Sequence, residues 1–154
     1  MTLRVGIVDT TFARVDMARY AIEELRNNDP SVVIERITVP GFKNTPWAAK
    51  QLINRGVDAI MVFGWIGPSL TDKITYAVAS MGLIMLQIEY DKPIIDVTVH
   101  EDEARDEREL FDIAVDRSRK HARNLILMLR GGELTKWAGM GLRQGRPDVG
   151  PIIR

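Results

Sequence analysis

The stretch Arg4-Val-Gly-Ile-Val-Asp-Thr-Thr-Phe-Ala-Arg-Val-Asp-Met17 decides the fold of this chain. Leu3–Val8 is an apolar run of the kind found in strands buried on both faces. A short polar loop follows, with one aromatic (Phe12) and one cation (Arg14), and helix-compatible sequence begins at once. In an open α/β sheet, ligands sit at the carboxyl ends of the strands. Phe12 is therefore placed to stack a flat heteroaromatic ring, and Arg14 to hold its polar edge. Each also has a plainer role open to it: Phe12 as a loop aromatic capping the core, Arg14 as a partner for nearby acids.

The alternation continues outward from that stretch. Met17, Ala18, Ala21, Ile22 and Leu25 recur at helical spacing over Asp16–Leu25, and Asn27-Asn-Asp-Pro30 breaks the helix. Val32–Val39 alternates as a second strand and ends at Pro40-Gly41. Thr45-Pro46, a cap followed by proline in the first turn, starts a short helix over Trp47–Asn54. Ala59–Phe63 is a third buried strand that delivers the chain into Gly64-Trp-Ile-Gly-Pro-Ser69. A long helix runs from Thr71 to about Tyr90, although Leu83–Ile88 alone also suits a strand. Asp91-Lys-Pro93 turns the chain into a fourth strand, Ile94–Val99. Glu103–Leu129 is charged and strongly helical, with Leu110, Ile113, Ala114, Arg117, His121 and Leu125 along one side. Strands alternating with helices imply right-handed crossovers. The predicted fold is α/β, an open four-stranded parallel sheet flanked by helices in flavodoxin-like topology.

Residues 1–130 form that domain, and residues 131–154 form an extended C-terminal tail. The tail has too many glycines and prolines for a helix or strand, yet it carries Trp137, Met140, Leu142, Arg143 and Arg146. That is not the composition of an idle linker, so it is expected to dock, with a neighbouring subunit as a natural place.

Composition narrows the function. Twenty-one Lys and Arg balance 21 Asp and Glu across 154 residues, which gives no global pull toward nucleic acid or an anionic membrane. The absence of cysteine removes disulfides, thiolate metal sites and cysteine nucleophiles. No signal-peptide pattern is visible and no apolar run approaches a membrane span, so the expectation is a soluble cytoplasmic protein.

Four loops, Asp9–Arg14, Pro40–Asn44, Gly64–Ser69 and His100–Glu103, follow four strand ends and should gather on one edge of the sheet. Gly64–Ser69 lacks the lysine and hydroxyl of a Walker loop, and Trp65 within it can serve simply as packing. His100, one of two histidines, sits beside Glu101, Asp102 and Glu103. This group suits proton transfer, or the holding of a substrate amide. The acids, Glu103 above all, also suit the first turn of the next helix. His121, among Arg117, Arg119, Lys120 and Arg123, reads as part of a solvated or intersubunit helix face. A divalent metal site made from His100 and the acidic trio is the weaker alternative, since no ligand set recurs elsewhere at metal-binding spacing, and no metal is expected.

Several segments together resemble the archaeal-type riboflavin synthases, whose sequence pattern is similar to that of the lumazine synthases. They are Val5–Met17, Thr38-Val-Pro-Gly41, Val99-His-Glu-Asp-Glu-Ala104 and Ala138-Gly-Met-Gly-Leu-Arg-Gln-Gly145. With the shared length and element order, the resemblance covers nearly the whole chain and implies a lumazine synthase-like fold. Lumazine synthases carry Val-Pro-Gly-x-x-Glu-x-Pro after the second strand. Here the frame is Val39-Pro-Gly-Phe-Lys-Asn-Thr-Pro46, with Asn44 in the glutamate's place. They also have a phosphate-binding loop followed by a histidine, whereas Gly64–Lys73 has no histidine and adds Asp72.

The resemblance implies a dismutation of two 6,7-dimethyl-8-ribityllumazine molecules to riboflavin and 5-amino-6-(D-ribitylamino)uracil. No cofactor is needed, and the sites lie between subunits of a homopentamer. On that reading Phe12, Trp65 and Ile66 wall the rings, while Arg14, Gly41, Lys43, Asn44, Gly67 and Arg143 hold ring edges and ribityl hydroxyls. His100, with Glu101 or Asp102, supplies proton transfer, and the tail closes over the second substrate. Three other readings stay open: a lumazine synthase, a carrier that binds lumazine or flavin without turnover, and, remotely, a phosphoacceptor domain built on Asp9.

Overall fold

A computed structural model describes residues 2–153. Its core is a four-stranded parallel sheet in the order β2-β1-β3-β4. The strands are β1 (Arg4–Thr10), β2 (Val33–Val39), β3 (Ala59–Ile66) and β4 (Ile94–His100). The helices are α1 (Met17–Asn28), α2 (Thr45–Asn54), α3 (Leu70–Tyr90) and α4 (Glu107–Leu129). The predicted fold class and element order hold.

The opening strand lies between two helical layers because both of its faces are apolar. On one face Val5 and Ile7 join Met61, Phe63, Val97 and Val99 against α1 and α4, through Met17, Ala21, Leu25, Leu110, Ile113 and Leu125. On the other, Val8, Ile60 and Val62 meet α2 and α3 through Ala48, Leu52, Ala79 and Leu83. Each fully buried Leu or Ile here contributes about 1.5–3 kcal/mol relative to exposure. β2 and β4 are the edges.

The strand ends differ from the sequence reading in ways that matter for the site. β1 runs two residues further, to Thr10, and β3 runs three further, to Ile66. Residues 64–66 are therefore strand rather than loop, held by parallel pairing of Gly64 with Thr98, Trp65 with Val99 and Ile66 with His100. The acidic trio forms its own short turn, Glu101–Glu103, and α4 starts only at Glu107, capped by the Asp106 carboxylate. The segment around Leu83–Ile88 is helical throughout.

α3 is unusual among the helices. Ala79 and Leu83 are its buried residues, while Leu70, Ile74, Val78, Met81, Met85 and Ile88 stand exposed at helical spacing, Ile88 to 78%. Part of the tail lies on its own chain, where Gly145 N–H donates to Asp116 at 2.8 Å and the carbonyl of Gln144 accepts from Arg117 at 3.1 Å. No described helix is long and apolar enough to cross a membrane.

Candidate active site

The carboxyl edge of the sheet gathers the strand-end loops, and named contacts stitch them together. Thr11 N–H donates to the Val39 carbonyl at 2.9 Å, tying the first loop to the end of β2. Arg14 pairs with Glu107 at the start of α4. Phe42 meets Tyr76 edge to face, with ring centroids 5.3 Å apart. Lys73 on α3 pairs with Asp102 at 2.7 Å, and the Trp65 indole N–H donates to Glu101 at 2.8 Å.

His100 is the centre of this arrangement. Its ring lies tilted on Tyr76 at 5.0 Å, and its Nδ1 is buried with no hydrogen-bond partner among the described residues. A buried polar atom left unpaired is uncommon and costly, and such atoms concentrate where chemistry uses them. Tyr76 is itself fixed. Its hydroxyl and that of Ser80 each donate to Asp96 at 3.0 Å, and Thr98 donates to the same carboxylate. Burial and the Asp96 charge push the Tyr76 phenol above its ordinary value, keeping it protonated. Lys73, Tyr76, Ser80, Met81, Ile84 and His100 line an open cleft of about 420 Å³ between α3 and β4.

The acids divide by role. Asp102 is exposed, and its hydrogen bond to Lys73 holds its pKa below the ordinary carboxylate value. For Glu103 burial acts to raise the pKa. The Arg117 hydrogen bonds, the His100 backbone N–H and the charges of Arg117 and His100 outweigh it, and the net shift is downward. Both are carboxylates at neutral pH, able to accept a proton but not to donate one. Glu101 is engaged by Trp65.

The expected binding residues separate into groups. Phe12 is 55% exposed, so its ring is a free face rather than a core cap. Lys43 and Asn44 are exposed beside Gly41, whose N–H donates to the Asn44 amide oxygen at 3.2 Å. Trp65 and Ile66 lie in β3 rather than in a loop and are buried within this chain, Trp65 to 2% exposure, because the strand continues past the expected end. Within this chain neither ring nor side chain offers a wall to a ligand. Gly67 is also buried, against Asp72 at the start of α3. Arg143 is not brought to the strand-end loops, and its hydrogen bonds go to Asp148 and the Pro147 carbonyl inside the tail. His121 is half-buried on α4, where it lines a cleft with Ile95 and the tail residues Trp137 and Leu142.

Both carboxylate oxygens of Asp9 are engaged, by Arg36 and Thr38. Among the described residues no three His, Asp or Glu side chains come together to hold a metal ion. Tyr76, Asp96 and Lys73 escaped the sequence reading. Only Asp96 carried a signal, as an acid inside an otherwise apolar strand.

The sequence model of the 6,7-dimethyl-8-ribityllumazine synthase family matches residues 2–131. A protein of Aeropyrum pernix named riboflavin synthase is 54% identical over 150 residues, covering 96% of this chain and 97% of the relative. One of Archaeoglobus fulgidus with the same name is 47% identical over 154 residues, covering 99% of this chain and all of the relative. The chain belongs to the archaeal-type riboflavin synthase family. A lumazine synthase of Methanopyrus kandleri, by contrast, is 34% identical over 100 residues, 60% of this chain. The full-length similarity to the archaeal-type riboflavin synthases takes in the tail, which the family model does not reach.

Proposed function

We propose that this chain is a cytoplasmic riboflavin synthase. As a transferase, it moves a four-carbon unit between two molecules of 6,7-dimethyl-8-ribityllumazine and yields riboflavin and 5-amino-6-(D-ribitylamino)uracil. The observation that carries this reading over a lumazine synthase is the start of α3. Ser69 Oγ donates to the Asp72 carboxylate at 2.6 Å and accepts the Asp72 N–H at 3.1 Å. A Cβ on Gly67 would lie 2.5 Å from the same carboxylate. An anion thus already occupies the helix N-terminus where a phosphorylated sugar would be received. The full-length relatives named riboflavin synthase support the same choice.

The chemistry asks for little beyond position and proton transfer. Loss of a proton from the 7-methyl leaves an anion delocalised over the lumazine ring, and the second ring accepts the carbons. Because one lumazine loses the unit the other gains, no external oxidant enters. Phe12 stacks a ring, Arg14 holds a polar edge, and Lys43 with Asn44 meets ribityl hydroxyls. His100, with its unpaired Nδ1 over Tyr76, moves the proton, and Lys73 keeps Asp102 charged beside it. Ring alignment alone accounts for a large share of the rate.

The assembly is proposed as a homopentamer with sites between subunits. The apolar face of α3 supports it, because that face lacks cover in one chain and a second copy supplies it. The deciding experiment is incubation with 6,7-dimethyl-8-ribityllumazine alone, followed by absorbance. Riboflavin and the pyrimidinedione in equal amounts are expected. Binding without product indicates a carrier, and lumazine formation from its precursors indicates the synthase of the earlier step. Either result overturns the proposal.

A further inference from the structure

Arg117 sits on the sheet-facing side of α4, between buried Ala114 and Ser118 and the tail. Its side chain is 12% exposed. Every nitrogen of the guanidinium is engaged. Nη1 and Nη2 donate to the two Glu103 oxygens at 2.8 and 2.9 Å. Nη1 also reaches the Thr98 carbonyl at 2.9 Å, and Nε reaches the Gln144 carbonyl at 3.1 Å. One cation therefore joins β4, the turn behind His100 and the C-terminal tail.

Both ends of this junction are specific. At the turn, the Glu103 oxygen that binds Nη1 also accepts the backbone N–H of His100 at 2.8 Å. The carboxylate held by Arg117 is thus the one that fixes the His100 backbone. At the tail, Gly145 N–H donates to Asp116 at 2.8 Å, and Lys120 donates to the Arg146 carbonyl at 3.3 Å. Arg146 Nη2 returns to the Glu103 carbonyl at 2.7 Å. Gly145 has φ +87°, and a Cβ there would lie 2.6 Å from Arg117 Nε. The tail lies flat on the guanidinium because residue 145 has no side chain, at a φ that only glycine takes readily.

We propose that residues 144–146 form a strap that, through Arg117, positions the His100 turn for proton transfer within the same subunit. Arg117 and Gly145 are positioning residues of the reaction. The inference rests on the role given to His100 above, and it assigns the tail a task other than covering substrate. The physical reason is satisfaction of a buried cation. A nearly enclosed guanidinium is held in one geometry by the donors that are met; Glu103 and Thr98 meet three of its five N–H groups, and the Gln144 carbonyl meets a fourth, at Nε. Without the strap a buried N–H loses its partner, the bidentate pair turns, and the His100 backbone moves with Glu103. A displacement of about 1 Å at a reacting group costs up to about a hundredfold in rate.

The test compares the full chain with Gly145→Ala, Arg117→Lys and the two combined. It reads lumazine turnover together with amide hydrogen exchange. In each single variant kcat falls at least about tenfold while KM stays within about twofold. Exchange quickens at residues 100–104 and is unchanged across β1, which shows that the domain is intact. Because both substitutions act through one contact, the double variant is no slower than the slower single. Unchanged exchange at the turn, a rise in KM at constant kcat (the signature of a lid), or additive losses would each overturn the strap. If the unaltered protein binds lumazine without making riboflavin, the functional reading fails instead. The exchange data still decide whether the strap holds the turn.

Discussion

His121 provides the sharpest quantitative prediction. It is half-buried on α4, where it lines a cleft with Ile95 of β4 and the tail. Desolvation first, and the Arg117 charge second, lower its pKa from 6.5 to about 4, with Asp96 opposing only weakly. The folded state thus keeps the imidazole neutral at pH values where the unfolded chain protonates it. Stability contributed by this group is whole above 6.5 and is lost as pH falls from 6.5 to about 4. At about 1.4 kcal/mol per pH unit, that interval sets a ceiling of about 3.5 kcal/mol. The assay is urea unfolding of the wild type and of His121→Gln at matched protein concentration across pH 4 to 7. Carboxylates that titrate in the same range cancel in the difference, provided they do not touch residue 121. The wild-type stability should fall toward acid more steeply than that of the variant, by up to about 3.5 kcal/mol. Parallel curves would refute the argument that burial holds His121 neutral.

Phe12→Ala should weaken lumazine binding by about 1–3 kcal/mol, the worth of stacking one heteroaromatic ring. The melting temperature should barely change, because the ring is 55% exposed in the free chain; calorimetry with substrate, and a melt without it, check both halves. Val78→Glu puts a charge into the exposed apolar face of α3, where Val78 is 63% exposed, and should dissociate the proposed pentamer without unfolding the subunit. Light scattering that finds the assembly unchanged would show that this face is not the contact.

Much of the fold was legible because apolar runs and breakers act locally. Leu3–Val8 and Ala59–Phe63 are strands for the same reason that Asn27-Asn-Asp-Pro30 ends a helix. The side each residue packs against, or the pairing it needs, is written in its neighbours. Boundaries were less legible. The end of β3 depends on pairing with β4, which carries Gly64, Trp65 and Ile66 onward as strand and buries Trp65 within the chain. The free ring of Phe12 and the grouping of His100 with acids could be anticipated, since both follow from where strands end in a parallel sheet.

The rest required the third dimension. Arg117 was visible in sequence only as a cation on the apolar side of a helix, and Gly145 as one glycine among many in the tail. Their meeting at Glu103 spans residues 103, 117 and 144–146, and no local spacing encodes it. Tyr76 and Asp96 meet for the same reason, across α3 and β4. The sequence by itself determined the strand–helix order and the edge at which the strand-end loops gather, because periodicity and chain sterics suffice for those. The tertiary structure alone decided which polar groups are buried together, because desolvation and hydrogen-bond satisfaction depend on neighbours that the chain brings in from far away.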